Sequence, residues 1–232
     1  MTMIAEPPAR VPSEALPAGS AERVPSNIEM QLLTQPPEVL TTTFEGYPLW
    51  ESAASVEAQV FIDCGYVESK EDLTREYAPY VARTTMMGLV IGEDVRGATR
   101  VSDRTEGVGK YGFKTLNDAD AGRLILSASG LEIVEGLDLD RIQEVGTIAM
   151  EQELRELHAL KLSGYLYEAI YNRGVAYGHT HTIASFDKKY FAGFRFHFRP
   201  AVVPLGPAVQ YMGSPTVPAI IDHSLIDPAK FH

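Results

Sequence analysis

The chain has 232 residues, 45% of them hydrophobic and 22% charged, with a formal net charge of −11. That size suffices for one substantial buried core, and the acidic balance argues against nucleic-acid or anionic-membrane partners, whose phosphates demand many Lys and Arg. Cys64 is the single cysteine, so no internal disulfide can form and a cytoplasmic protein is expected.

Residues 1–40, with Pro7, Pro8, Pro12, Pro17 and Pro25 among many Ala and Glu, read as a disordered arm without the basic start and apolar run of a signal peptide. No apolar run approaches membrane-spanning length. A single domain is expected over residues 41–222, followed by a tail over residues 223–232. Apolar Ala54, Val56, Val60 and Phe61 predict a helix from Glu51 to Cys64, stopped by Gly65. Ser69-Lys70-Glu71-Asp72 has capping-box character and opens a second helix ending before Pro79. Thr84–Ile91 and Ala98–Ser102, around a loop from Gly92 to Gly97, predict a β-hairpin.

Gly107, Gly109 and Gly112 mark a loop over residues 103–115. Without a strand before it or a helix directly after, the loop is no dinucleotide fingerprint. Asn117–Ser129 reads as a helix, whereas Ile133–Asp140 fits either a helix or a strand. Next come a strand at Glu144–Met150, a helix at Leu157–Asn172 capped by Gly174, and a strand at His179–Phe186. Phe194-Arg195-Phe196-His197-Phe198-Arg199 alternates apolar and cationic residues, predicting a strand with its three Phe on one face. Prolines at 200, 204, 207, 215 and 218 divide the remainder into short strands near Val209–Met212 and Val217–Ile221. The pattern is mixed α/β with several antiparallel neighbours.

The strand–helix–strand unit closed by Tyr190 and Gly193-Phe194 resembles the acyl-donor half of the GNAT acyltransferase superfamily. Val60-Phe61, Glu76-Tyr77-Ala78-Pro79-Tyr80, Gly97-Ala98-Thr99-Arg100-Val101 and Arg141-Ile142-Gln143-Glu144 are similar to segments of its acyl-homoserine-lactone synthase and N-acyl amino acid synthase branch. The resemblance covers residues 50–222. It implies a largely antiparallel α/β sheet, splayed as a V between the fourth and fifth strands, with helices on both faces. It also implies transfer of an acyl group from a thioester to the amine of an amino acid or related metabolite. No tightly bound cofactor or metal is implied. The branch has Arg where this chain has Glu57, and another Arg where it has Thr147, which points to an acceptor other than the one that yields homoserine lactones.

Acyl transfer requires deprotonation of the ammonium, stabilisation of the oxyanion and protonation of the departing thiolate. Glu144 is the candidate base; the alternative is a solvated strand-end carboxylate. Tyr190 is the candidate acid, one position nearer Gly193 than the family's Tyr, with ordinary packing as the alternative. The resemblance places the thioester carbonyl against backbone N–H groups from Ile148 to Met150, beside Thr147. Arg100 fits either a substrate carboxylate or a structural ion pair. Phe61, Met86, Met87, Leu89 and Met150 fit either an acyl tunnel or core packing.

The run Glu151-Gln152-Glu153-Leu154-Arg155-Glu156 has no glycine for close backbone approach to pyrophosphate, and its three carboxylates oppose a nucleotide. An acyl-carrier-protein phosphopantetheine, with its phosphate on Arg155, suits it better than acyl-CoA. Lys188, Lys189, Arg195 and Arg199, with no acid among them, fit either a landing site for an acidic carrier protein or a solvated face. His179 and His181 share a strand face but lack a clear third metal ligand. Two other classes stay open: an acetyl-CoA-dependent N-acetyltransferase, and a non-catalytic binding module on the same fold.

Overall fold

The computed structural model describes Leu32 and residues 35–231, and only the backbone for residues 157–161. Most of the segment read as an arm lies outside the described residues. Eight strands form one sheet in the order β1-β2-β3-β4-β5-β8-β6, with β7 on β8. They are β1 (Glu38–Thr42), β2 (Thr84–Ile91), β3 (Asp94–Asp103), β4 (Ile142–Met150), β5 (His181–Asp187), β6 (Val202–Pro204), β7 (Val209–Tyr211) and β8 (Ser214–Asp222). Every pairing is antiparallel except β4 with β5. The helices are α1 (Pro48–Asp63), α2 (Lys70–Tyr77), α3 (Lys114–Asp120), α4 (Ala128–Glu135), α5 (Gln152–Ala176) and α6 (Lys188–His197).

Strand alternation divides the core between two faces. Met86 and Ala98 pack under Trp50 and Ala53 of α1. Their neighbours Met87 and Val101 face the other way, against Ile170 of α5, and Leu89 packs there on Leu162 and Leu166. Helices therefore cover both faces, as the sequence implies.

Several elements differ from the sequence reading. The expected helix Asn117–Ser129 is two helices. Gly122, at φ +75°, follows the end of α3, the Asp118 carbonyl accepts from Arg123 and Leu124 N–H, and Ser127 caps α4 by accepting from Gly130 N–H. Helix α5 runs past Gly174 and stops at Tyr177 and Gly178. Gly174 is instead a packing residue, because a Cβ there would lie 2.4 Å from the His223 ring.

The alternating run after Lys188 is helical, not extended. Asp187 caps it by accepting from Lys189 N–H, so helical spacing turns Phe191, Phe194 and Phe198 inward and leaves Phe196 72% exposed. Strand β1 begins at Glu38, inside the span assigned to the arm, and pairs with β2. The residues read as a tail fold back, burying His223 and Phe231, with Phe231 packed on Tyr171 and Phe198.

Candidate active site

Strands β4 and β5 pair only from Ile142–His181 to Val145–Ala184. Beyond that point β5 follows β8 to Asp187 while β4 follows β3 to Met150, so the two diverge. A bulge marks the divergence. Arg100 is opposite Thr147 and Val101 is opposite Val145, which leaves Gly146 as the extra residue, and such insertions bend a strand and raise its twist. Tyr77 Oη donates to the Gly146 carbonyl at 2.7 Å. A Cβ at position 146 would lie 2.7 Å from the Tyr77 ring, so only glycine fits.

Two cavities meet this V from opposite faces. On the α1–α2 side, Glu144, Gly146, Ser185 and Asp187 border a polar cleft, also lined by Phe61, Tyr66, Tyr77, Lys114 and Tyr211. On the α5–α6 side, Val145, Ile148, Ala184 and Phe186 border an apolar cavity that reaches Tyr167, Phe198 and Phe231.

Glu144 is 2% exposed and accepts from the backbone N–H groups of Lys114 (2.7 Å) and Thr115 (2.6 Å). Burial holds its carboxyl above the usual carboxylate range, opposed by the Thr115 hydroxyl, those two amides and the Lys114 charge. The carboxylate keeps a lone-pair direction free.

Lys114 Nζ donates to Glu76 (2.6 Å), Asp118 (2.7 Å) and Tyr211 Oη (2.9 Å). Tyr211 Oη donates to Asp118, and Arg123 bridges Glu76 and Asp118. Across the cleft, Tyr66 Oη donates to Asp187 at 2.8 Å. Burial and then the Asp187 carboxylate push the Tyr66 phenol up.

No protein-family model and no curated protein matches the chain. Solved structures do. FeeM, an N-acyl amino acid synthase from uncultured soil microbes, aligns at TM-score 0.59 and 17% identity, over 85% of this chain and 98% of that one. The AHL synthase LasI aligns at TM-score 0.53 and 14% identity, over 81% and 89%. The chain has the GNAT-like fold of these synthases.

Within this GNAT-like fold the predicted site residues separate. Glu144 borders the polar cleft and Ile148 the apolar cavity, whereas Thr147 and Met150 pair with Arg100 and Gly97 of β3 and line neither. Arg100 is buried and committed: Nε and Nη2 donate to Glu57 at 3.0 and 2.7 Å, and the Thr147 hydroxyl donates to the same carboxylate. The structure therefore selects the ion-pair alternative for Arg100 over a substrate carboxylate, and occupies the Thr147 side chain internally. Removing one partner strands a buried charge, so Glu57→Ala is expected to lower the unfolding free energy by about 3–5 kcal/mol in denaturant titration. Glu57→Leu with Arg100→Met should recover part of that loss.

Tyr190 is 48% exposed on α6 and lies outside the cleft lining. It contacts Arg155, which also donates to Cys64 Sγ at 3.5 Å. Arg155 Nε is buried with no partner. Of the proposed tunnel residues, Met86, Met87, Leu89 and Met150 are core and Phe61 lines the polar cleft; the apolar cavity is elsewhere, lined by Ile148. The carboxylates before α5 are less repulsive than their sequence implies, because Arg96 pairs with Glu151 and Glu153. Lys188, Lys189, Arg195 and Arg199 are all exposed on or just after α6.

Sequence reasoning did not single out Tyr66, Lys114 or Tyr211. They come from loops and element ends, where no periodicity marks a side chain's direction. Tyr77 lay within a quoted motif, but nothing there showed that its hydroxyl would hold the Gly146 carbonyl.

Proposed function

We propose that this protein is an N-acyltransferase that moves an acyl group from a thioester to the amine of a small metabolite. The observation that carries this reading is the V with a buried carboxylate on one face and an apolar cavity on the other. A thioester carbonyl lying in the gap has its chain on the Phe186 side and an attacking amine on the Glu144 side. Glu144, held above the usual carboxylate range, takes the ammonium proton directly or through water. Beyond Val145 the edge of β4 has no pairing with β5, and its backbone N–H groups are assigned to the oxyanion. Tyr66 lines the cleft and so replaces Tyr190 as the nearer phenol to a departing thiolate. Its proton rests on Asp187, which makes it a relay and not a free acid. The neighbours FeeM and LasI, named as an N-acyl amino acid synthase and an AHL synthase, support the reaction class.

The donor is read as carrier-bound phosphopantetheine, in preference to acyl-CoA, with its phosphate at the first turn of α5. The unpartnered Arg155 Nε and the exposed cations of α6 support this. Transfer from an acyl-carrier protein should fall by about tenfold between 50 and 300 mM salt, while transfer from a short acyl-pantetheine thioester changes by less than about twofold. Lys188→Glu with Arg195→Glu should remove the difference. Equal salt dependence for both donors would favour a free acyl-CoA donor.

One observation favours a binding module: both Glu144 oxygens already anchor α3, a purely structural task. A thiol-release assay with carrier-bound acyl chains and pooled amines decides between the readings. Turnover that Glu144→Gln abolishes supports catalysis; no release from any thioester supports binding alone.

A further inference from the structure

We infer that the acceptor carries a second positive centre and no carboxylate at the site, so that it belongs to the aliphatic diamines and not to the free α-amino acids. This rests on the acyltransferase reading and narrows its acceptor.

The argument is an inventory of donors and acceptors in the polar cleft. An acceptor with an α-carboxylate needs a cation or several free donors. Lys114 is the single cation among the described cleft-lining residues, and an ammonium has three donors. All three are taken, by Glu76, Asp118 and Tyr211. The nearby guanidinium groups are absent from the cleft lining and are ion-paired: Arg123 with Glu76 and Asp118, and Arg100 with Glu57. The phenol protons are used by Asp187 for Tyr66, by the Gly146 carbonyl for Tyr77 and by Asp118 for Tyr211. Ser185 can donate to the Thr115 hydroxyl at 2.9 Å and Thr115 toward Glu144, while Ser214 can donate to Thr216 Oγ1 and Thr216 Oγ1 to the Tyr211 or Ser214 carbonyl.

Among the side chains, what is left over is acceptor capacity; the backbone N–H groups on the splayed edge of β4 are assigned to the oxyanion. Glu144 receives two backbone N–H groups and the Thr115 hydroxyl, and Asp187 receives the Tyr66 hydroxyl and Lys189 N–H. Neither forms an ion pair among the described residues, and each carboxylate has about four lone-pair directions. A third carboxylate brought between these two would be repelled across a partly dry cleft. Two ammonium groups on a short aliphatic chain match it, one at Glu144 and one at Asp187.

In the reaction, the ammonium at Glu144 gives up a proton and the resulting amine attacks the thioester carbon. The C–N bond forms and the C–S bond breaks. One proton stays on Glu144 and the nitrogen's second proton passes to the departing thiolate, leaving a free thiol and a mono-amide whose remote ammonium stays on Asp187.

Three probes that differ by one group each test this by calorimetric titration of the full chain without a donor: 1,5-diaminopentane, lysine and 1-aminopentane. The diamine should bind about tenfold or more tightly than lysine, which adds only the carboxylate, and more tightly than 1-aminopentane, which lacks the second ammonium. Lysine binding as tightly as the diamine or more so, or no binding by any of the three, overturns the inference. Asp187→Ser keeps a helix-capping oxygen while removing the charge. In that variant the diamine should lose its advantage over 1-aminopentane, and an unchanged advantage overturns the assignment of Asp187. Thiol release is measured separately with the same amines. If no thioester donor turns over, the acyltransferase reading fails, whereas the order of binding still decides the acceptor class.

Discussion

Replacing Glu144 with Gln should lower kcat/KM for acyl transfer by about a hundred- to a thousandfold, the range over which a positioned base contributes. The loss should lie in kcat, because the base acts as the amine attacks. Gln keeps one acceptor oxygen for the two N–H groups of α3 and leaves the other amide short of a partner, at a cost of about 1–3 kcal/mol. Circular dichroism and thermal melts should therefore show a folded, somewhat less stable protein. The pH profile gives a second readout. Burial makes the Glu144 carboxyl hold its proton to higher pH than an ordinary carboxylate, and only the deprotonated form can act as a base. The native rate should thus rise through an acid limb displaced upward from the ordinary carboxylate range, and Glu144→Gln should remove that limb. An unchanged acid limb in the variant would assign it to another group.

The second large effect concerns the acyl chain. Each methylene moved from water into an apolar cavity gains about 0.8 kcal/mol, which is about fourfold. Going from a four-carbon to an eight-carbon chain should raise kcat/KM by about two hundredfold, with a plateau once the chain meets Phe198 and Phe231. Ile148 lines the apolar cavity just past the last β4–β5 pair, so Ile148→Trp should fill it and flatten this dependence, leaving four-carbon donors with most of their native rate. Overpacking there costs about 1–3 kcal/mol of stability, and a melt separates that from lost chain selection. An enzyme dedicated to acetyl groups would show no such slope.

The central unit was readable in the chain because its signals are local. A β-rich run, a long amphipathic helix and a second β-rich run establish β4, α5 and β5, and Ser69 and Asp72 mark the start of α2. Local signals also misled. The period-two alternation from Phe194 to Arg199 is compatible with a strand, but the cap at Asp187 starts a helix and i,i+4 spacing turns Phe194 and Phe198 inward. Gly174 looked like a stop because nothing in the sequence shows His223 and the end of the chain folding onto that spot.

Two departures from the synthase pattern, Glu57 and Thr147, lie 90 positions apart, and the sequence reading took both as signs of a changed acceptor. In space they meet. Thr147 donates to the Glu57 carboxylate that holds Arg100, so they form one buried arrangement and neither lines the cleft. The cleft itself is built by residues scattered from Phe61 to Thr216. Long-range convergence of that kind leaves no periodic trace.

Photocrosslinking with a pantetheine thioether carrying an eight-carbon chain and a terminal diazirine tests the arrangement of the V most directly. Mass spectrometry should find the label on Tyr167, Phe186, Phe198 or Phe231, behind the opening between β4 and β5. Label concentrated on Phe61, Tyr66 or Met212 would put the chain on the same face as Glu144 and contradict the account.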